Sequence, residues 1–196
     1  QSKEWVEERL AIPYQEAGNI TPGAVDPHKR IEFLDNEGIA ATFIYPTLGL
    51  GWSWECEDPL LSAAYCRVYN DWLNDWCSDY PNRLIGIAHM PLRDVNESVK
   101  ELRRVSKMGM RGAFIMPGAV NGIGYGDSYY DPFWSAAQEL EIPITLHFAF
   151  NPDYAGSQLY AKTNGLGPEF FTEMLLHGDF IVSLTHMMCE GVFERF

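Results

Sequence analysis

The sequence predicts an α/β fold built on a parallel sheet, and two observations lead to this prediction. Short runs of β-branched and aromatic residues alternate along the chain with longer segments of helical periodicity. Three of the predicted strands begin near residues 84, 112 and 143, so successive strands are about 30 residues apart, the length of one βαβ unit. Strands in this rhythm form either an open doubly wound sheet or a (β/α)8 barrel.

Four predicted strands carry the sheet. The first covers residues 39–46 and ends before a glycine-rich loop; the others cover 84–90, 112–116 and 143–148. Each is a short apolar run bounded by proline or a loop. Such runs are typical of strands that are buried on both faces of a parallel sheet.

The segment 58–79 predicts an amphipathic helix. Its apolar residues recur every three or four positions, which is typical of a helix with one apolar face. These residues are Leu61, Tyr65, Val68, Trp72 and Trp76. The acidic row Asp71, Asp75 and Asp79 lies opposite this stripe, so we expect it to form the solvated face of the helix.

Four further helices are predicted by their start signals and periodicity. Asp94 followed by Glu97 is a capping-box pattern, and Asp131-Pro132 predicts an N-cap followed by proline at the first helical position. Beyond Pro168 we expect two helices that meet near Gly178-Asp179.

The positions of the loops favour the barrel over the open sheet. No GxGxxG motif follows the first strand and no strand leads into a phosphate-binding loop, so the main sequence evidence for a nucleotide-binding open sheet is missing. The long loops rich in glycine and aromatic residues follow the strands, where barrels build their active sites.

Composition limits the classes of function. The chain has 196 residues and a formal net charge of −13, which argues against binding to nucleic acid or to an anionic membrane surface. A hydrophobic fraction of 46% suits a folded domain with a substantial core, and we expect one domain and no membrane span. The four cysteines form no CxxC pair, so we expect reduced thiols and a cytoplasmic location.

His147 is the strongest candidate for chemistry. In residues 144–148, Thr145 and His147 point to one side of the strand, whereas Ile144, Leu146 and Phe148 point to the other. If the apolar side packs on helices, His147 faces the barrel interior at the carboxyl end of its strand, where barrel enzymes hold catalytic groups and metals. The alternative is a buried histidine whose two nitrogens bond to neighbouring groups.

The other histidines are weaker candidates. His89 alternates in phase with two upstream isoleucines, so we expect it on the helix-facing side with a structural role. His186 and Glu190 could share a metal at i, i+4, but an ordinary polar helix face is the commoner arrangement. His28 and His177 lie in polar surroundings near expected helix ends.

The first loop after a strand could contact a substrate. Trp52 and Trp54 could stack a planar molecule or fill a subunit interface, and Tyr45 is a further candidate for substrate contact. No Gly-x-Ser-x-Gly elbow is present, and no cysteine has a plausible partner pattern, so hydrolysis by a serine or cysteine nucleophile lacks support.

An ordered series of short motifs resembles a known family, the amidohydrolase-related proteins that include aminocarboxymuconate-semialdehyde, resorcylate and carboxyvanillate decarboxylases. The series extends over about residues 22–196. Its members are Arg30-Ile31-Glu32-Phe33-Leu34-Asp35, Gly38-Ile39, Tyr45-Pro46-Thr47, Tyr69-Asn70-Asp71-Trp72, Arg83-Leu84, Pro91-Leu92-Arg93-Asp94 and Asp131-Pro132-Phe133-Trp134.

The resemblance implies a (β/α)8 TIM barrel that binds one divalent metal, zinc or in some members manganese. It implies that His147 corresponds to the family's metal-binding histidine near the end of the fifth strand. The family's acidic or His-x-His motif on the first strand and its aspartate on the eighth have no counterpart here. We therefore expect residues 1–196 to form part of a single barrel domain, roughly strands two to five with their helices.

The resemblance predicts a metal-dependent, non-oxidative decarboxylase that acts on an aromatic or unsaturated carboxylic acid. We also expect a homo-oligomer. Hydrolysis of a lactone, ester or amide by the same metal is the first alternative, because a bound metal can also activate water. The second alternative is a truncated barrel without catalytic activity that binds a partner.

Overall fold

A computed structural model describes residues 22–51, 56–147 and 168–196, with side chains in the last range described from residue 178. Within these ranges the α-helices are α1 (Pro27–Asn36), α2 (Pro59–Cys77), α3 (Val95–Lys107), α4 (Asp131–Glu139), α5 (Pro168–Cys189) and α6 (Val192–Arg195). The strands are β1 (Thr42–Ile44), β2 (Leu84–Gly86), β3 (Ala88–His89), β4 (Ala113–Ile115), β5 (Ala119–Val120), β6 (Ile123–Gly124) and β7 (Ile144–Leu146). All four predicted strand regions therefore contain strands, although each is shorter than predicted.

The described residues group into two compact units, of which the smaller comprises residues 22–44 and 74–85. Asp26 caps α1 by accepting the backbone N–H of His28 at 2.8 Å. β1 pairs with β2, and the backbone N–H of Thr42 donates to the carbonyl of Arg83 at 2.8 Å. Arg83 in turn donates to Asp35 at the end of α1.

The described residues of the larger unit, 45–51, 56–73, 86–147 and 168–196, hold a three-stranded parallel sheet in the order β3-β4-β7. In its register His89 lies opposite Phe114, and Phe114 lies opposite Thr145. Residues paired across neighbouring strands share one face of a sheet, so these three side chains form one face. The parallel pairing confirms the α/β architecture predicted from the strand spacing.

The opposite face of this sheet packs on helices. Ile115, Ile144 and Leu146 line a groove of about 420 Å³ together with residues of α4, α5 and α6. Its other lining side chains are mostly apolar and include Trp134 and Leu184. The prediction that Ile144 and Leu146 face helices is therefore confirmed.

The buried face of α2 differs from the predicted one. Four stripe residues in this unit are at least 44% exposed: Leu61, Tyr65, Val68 and Trp72. The buried face consists instead of small or polar residues with one leucine: Ser62, Ala63, Cys66, Asn70 and Leu73. A methyl group on Gly86 would lie 2.8 Å from Leu73 Cγ, which shows how closely the helix approaches the last residue of β2. Such close packing requires small residues at the contact, so the apolar stripe lies outside it.

The segment after β4 forms a hairpin that the strand prediction did not include. β5 and β6 pair antiparallel around Asn121 and Gly122, both of which adopt positive φ. Asn-Gly is the typical sequence of a two-residue hairpin turn, so the signal was present in the sequence. The hairpin is anchored to the sheet region because Asn121 accepts a hydrogen bond from Arg93 at 2.8 Å.

Two helix boundaries also differ from prediction. Tyr130 is the last residue of a 3-10 turn that Asp127 caps, and it occupies the N-cap of α4. Asp131 lies inside the first turn of α4 and accepts a hydrogen bond from Arg195 at 2.8 Å. α5 continues through Gly178, and the chain breaks instead at Gly191, where φ is +68°. Glycine ends a helix where the backbone turns left-handed, and Gly178 does not take that conformation.

Candidate active site at the carboxyl end of the sheet

His147 directly follows β7 and is fixed there by the sheet. Its backbone N–H donates to the carbonyl of Ile115 at 3.1 Å, which extends the β4–β7 ladder by one residue beyond the strand. The side chain is partly exposed. The imidazole therefore lies at the carboxyl end of a parallel sheet, the position at which barrel enzymes build their active sites.

Two aromatic rings surround the imidazole. The centroid of the Tyr45 ring lies 4.9 Å from that of His147, and the Phe114 centroid lies 6.2 Å away in an edge-on arrangement. Tyr45 and Phe114 also contact each other, at 5.8 Å. These distances are typical of favourable aromatic contacts, so the three rings form one cluster. Sequence reasoning selected Tyr45 and His147 separately and did not select Phe114.

The Tyr45 side chain is fixed by hydrogen bonds as well as by ring contacts. Its hydroxyl donates to Thr145 Oγ1 at 3.3 Å, and Thr145 Oγ1 donates to the backbone carbonyl of Ala113 at 3.2 Å. Thr145 therefore lies on the same side of β7 as the His147 cluster, as the alternation pattern predicted. The hydrogen bonds connect the loop after β1 to the centre of the sheet.

His89 lies on the face that carries Phe114 and not on the opposite one, so the predicted separation of His89 from His147 is wrong. Its ring stacks on Phe114 with centroids 4.5 Å apart and an interplanar angle of 21°. Both faces of a parallel strand are apolar, so the upstream isoleucines do not identify the helix-facing side. Burial lowers the pKa of His89 to about 3, which keeps the imidazole neutral near pH 7.

A buried polar network holds β3 in place. Asn70 on α2 accepts the backbone N–H of His89 at 2.7 Å and donates to the carbonyl of the same residue at 3.0 Å. It also donates to Glu101 at 2.7 Å, and Arg104 donates to both carboxylate oxygens of Glu101 at 2.8 Å. The network satisfies a nearly fully buried carboxylate and fixes the strand that carries His89.

The remaining histidines have structural partners or lack described side chains. His186 Nδ1 accepts the backbone N–H of Gly126 at 3.0 Å, so the ring packs on the hairpin segment. His28 Nδ1 lies 2.8 Å from the hydroxyl of Tyr80. The side chain of His177 lies outside the described residues, and so do Trp52 and Trp54, whose predicted contacts stay predictions.

The described residues do not by themselves form a metal site. Within the ranges that the structure covers, no group of three or more His, Cys, Asp or Glu could hold a metal ion. A catalytic zinc takes about three protein ligands, and the cluster at the end of β7 contributes one imidazole. His147 therefore remains a predicted ligand whose partners would have to come from outside the described residues.

Comparisons with known proteins identify relatives of this chain by sequence and by structure. The gamma-resorcylate decarboxylase of Rhizobium sp. (strain MTP-10005) is 29% identical over 216 residues, which cover 100% of this chain and 63% of that protein. The solved 2,6-dihydroxybenzoate decarboxylase from Rhizobium has a TM-score of 0.71 at 25% identity, over 85% of this chain and 51% of that one. The chain thus spans less than two thirds of the length of these relatives.

A further solved structure shares the fold. The dihydroxybenzoic acid decarboxylase of Polaromonas sp. JS666, with bound manganese and the inhibitor 2-nitroresorcinol, has a TM-score of 0.77 at 22% identity and covers 100% of this chain and 59% of its own. The structural neighbours are TIM-barrel amidohydrolases, and the mixed α/β structure of the described residues agrees with them. The amidohydrolase family model matches residues 41–196, and on this match the chain belongs to the amidohydrolase family.

Proposed function

We propose that the full-length protein is a metal-dependent, non-oxidative decarboxylase of an aromatic carboxylic acid. The cluster of Tyr45, Phe114 and His147 is the observation that carries this proposal, because it places a partly exposed imidazole beside the partly exposed ring of Tyr45 at the carboxyl end of a parallel sheet, with Phe114 buried beneath them. The relatives support the same reaction, since they are named as decarboxylases of resorcylate and dihydroxybenzoate.

The reaction exchanges a carbon–carbon bond for a carbon–hydrogen bond. The electron pair of the bond to the carboxylate stays on the ring carbon, CO₂ leaves, and a proton adds to that carbon. In this chain the partly exposed ring of Tyr45 would hold a planar substrate beside His147 and exclude water from it, while the buried ring of Phe114 supports both side chains.

We further propose that His147 binds one divalent ion, with zinc expected and manganese the alternative. Manganese is present in the Polaromonas structure, which supports a divalent metal without selecting between the two. A bound divalent ion would supply Lewis acidity. Metal analysis of the full-length protein purified without added metal would distinguish zinc from manganese.

The experiment that tests the decarboxylase assignment compares two products. The full-length protein is incubated with 2,6-dihydroxybenzoate, and released CO₂ and resorcinol are quantified. A lactone and an aryl ester, the substrates of the alternative hydrolase reaction, are assayed in parallel. We expect stoichiometric CO₂ and resorcinol. Hydrolysis of the lactone or ester without CO₂ release from any aromatic acid would replace the decarboxylase assignment by a hydrolase assignment. If the protein has neither activity and contains no metal, the binding module is favoured.

We also propose a homo-oligomer in the cytoplasm and a correspondence of the described strands to strands two to five of the barrel. The exposed apolar residues of α2 support self-association, because patches of this kind mark interaction sites. Light scattering tests the oligomer: Val68→Asp should lower the mass relative to wild type, whereas Asp75→Asn, on the charged side of α2, should not.

None of the helices in the described ranges is long and apolar enough to cross a bilayer.

A further inference from the structure

The direction of the hydrogen bonds at Tyr45 is determined by the chemistry of their acceptors. The carbonyl of Ala113 can only accept, so the single proton of the Thr145 hydroxyl is donated to it. Thr145 Oγ1 can then only accept from Tyr45, and the phenolic proton of Tyr45 is donated to Thr145. The hydroxyl groups of Tyr45 and Thr145 have then each donated their only proton.

This direction decides what the Tyr45 oxygen can offer to another molecule. Having donated its proton to Thr145, the phenolic oxygen presents only lone pairs. A hydroxyl group on a ligand can donate to these lone pairs, whereas a carboxylate or an ether oxygen would bring lone pairs against lone pairs. The rings of Tyr45 and His147 are in contact, with centroids 4.9 Å apart, so the side chain that carries this acceptor lines the candidate site.

We propose that Tyr45 recognises a substrate hydroxyl group by accepting its hydrogen bond, and that Thr145 sets this preference by holding the phenolic proton. The inference rests on the proposed decarboxylase function for the identity of the substrate, an aromatic acid with a ring hydroxyl. Tyr45 is thus a specificity-determining residue, and Thr145 is a positioning residue that acts through it. The substrate carboxylate is bound elsewhere in the site.

The test compares three matched aromatic acids on the full-length protein. These are 2,6-dihydroxybenzoate, 2-hydroxybenzoate, which lacks one hydroxyl, and 2-hydroxy-6-methoxybenzoate, in which that hydroxyl becomes an acceptor without a proton. The value of kcat/KM is measured for each, and binding of the same acids is measured by calorimetry. Thermal melting confirms that each variant is folded.

Tyr45→Phe keeps the ring against His147 and removes the oxygen. We expect it to lower the preference for the dihydroxy acid over 2-hydroxybenzoate by roughly tenfold, the contribution of one hydrogen bond. Most of the change should come from the dihydroxy acid. An active Tyr45→Phe variant with the same preference as wild type would overturn the role of Tyr45.

Thr145→Val is isosteric and removes the acceptor that holds the phenolic proton. Tyr45 can then donate, so the preference for the hydroxy over the methoxy acid should decrease by several-fold. Thr145→Ser retains the hydroxyl and should restore the preference of the wild type. If Thr145→Val kept the wild-type ratio between the hydroxy and methoxy acids, the positioning role of Thr145 would be refuted.

The binding measurements separate this inference from the proposed function. If wild type released no CO₂ but bound the hydroxy acid more tightly than the methoxy acid, and Tyr45→Phe removed the difference, decarboxylation would be refuted and the role of Tyr45 would stand. If wild type released CO₂ with equal kcat/KM for the hydroxy and methoxy acids, the function would stand and the inference would fail. Equal binding of both acids to an inactive protein would overturn both.

Discussion

The two faces of the β3-β4-β7 sheet have different compositions and different roles. One face carries His89, Phe114 and Thr145, and next to it lie Tyr45 and His147. The other carries Ile115, Ile144 and Leu146 and packs against helices. Neighbouring residues of a single strand thus serve different purposes, because successive side chains point to opposite faces. Substitutions at adjacent positions should therefore separate effects on activity from effects on stability.

The largest expected effect concerns His147. In the full-length protein, His147→Ala should remove bound metal and lower kcat/KM by at least about 100-fold, because one ligand of a site with about three is lost. The free energy of unfolding of the metal-free protein should change little, since the side chain is partly exposed. Metal content per chain and steady-state kinetics measure the effect.

Leu146→Ala, one residue away on the packing face, is the matched control for His147→Ala. It should lower stability and retain the metal. Equal metal content in wild type and His147→Ala would contradict the assignment of His147 as a ligand.

A large effect on stability is expected at Asn70. Asn70→Ala removes both hydrogen bonds to the backbone of His89 and one to the buried Glu101. Leaving buried polar groups without these partners should lower the free energy of unfolding by about 3 kcal/mol. Denaturant unfolding of the variant against wild type gives the value.

Asp71→Ala provides the comparison for Asn70→Ala, because Asp71 is the adjacent but exposed residue and pairs with Arg104 at the surface. It should cost no more than about 1 kcal/mol. Similar losses from the two variants would show that the buried network does not fix β3.

The neutral, buried state of His89 should appear in the pH dependence of stability. Its pKa is about 3 in the folded protein against an ordinary value of 6.5, so between these values the unfolded chain binds more protons. Stability is therefore fully present above pH 6.5 and is lost as the pH falls toward 3, by up to about 1.4 kcal/mol per pH unit. Denaturant unfolding between pH 4 and 7 measures the slope.

His89→Gln cannot ionise and should lose this part of the slope, whereas His28→Gln, at an exposed histidine, should retain it. A wild-type slope that survives in His89→Gln would mean that another group accounts for the acid sensitivity.

The smallest effect is expected from a pair of neighbouring substitutions in β7. Ile144→Val removes one methylene from the packing face and should cost about 0.5–1.5 kcal/mol of stability without changing substrate preference. Thr145→Val should change the preference for hydroxylated acids and leave stability within about 1 kcal/mol. Combined thermal melting and kinetics on both variants test the contrast, and exchanged outcomes would mean that the two faces are assigned the wrong way round.

Sequence reasoning predicted the strands and one face of β7 because those features depend on local patterns. Thr145 and His147 share a side through simple alternation, and the capping pattern at Asp94 is confirmed by its bonds to the N–H groups of Asn96 and Glu97. The face occupied by His89 was not predictable in this way. It depends on which strand lies opposite, and alternation within one apolar strand does not contain that information.

The orientation of α2 shows the same limit for helices. Periodicity distinguishes two faces of α2 and predicts burial of the more apolar stripe, but the structure buries the small and polar face instead. The face of α2 that is buried is determined by the close approach of Leu73 to Gly86 and by the hydrogen bonds between Asn70 and the backbone of His89. Both contacts join residues that are distant in sequence.

The sequence by itself determined the alternation of strands and helices, the spacing of the parallel strands and the position of His147 at the end of one of them. These follow from side-chain periodicity and from the conformational preferences of proline, glycine and capping residues, all of which act over a few neighbours. Only the tertiary structure decided that Tyr45, Phe114 and His147 form one cluster, that His89 lies beside them, and that the Tyr45 proton is held by Thr145. Those contacts require strand register and helix packing, which are set by interactions among residues up to 100 positions apart.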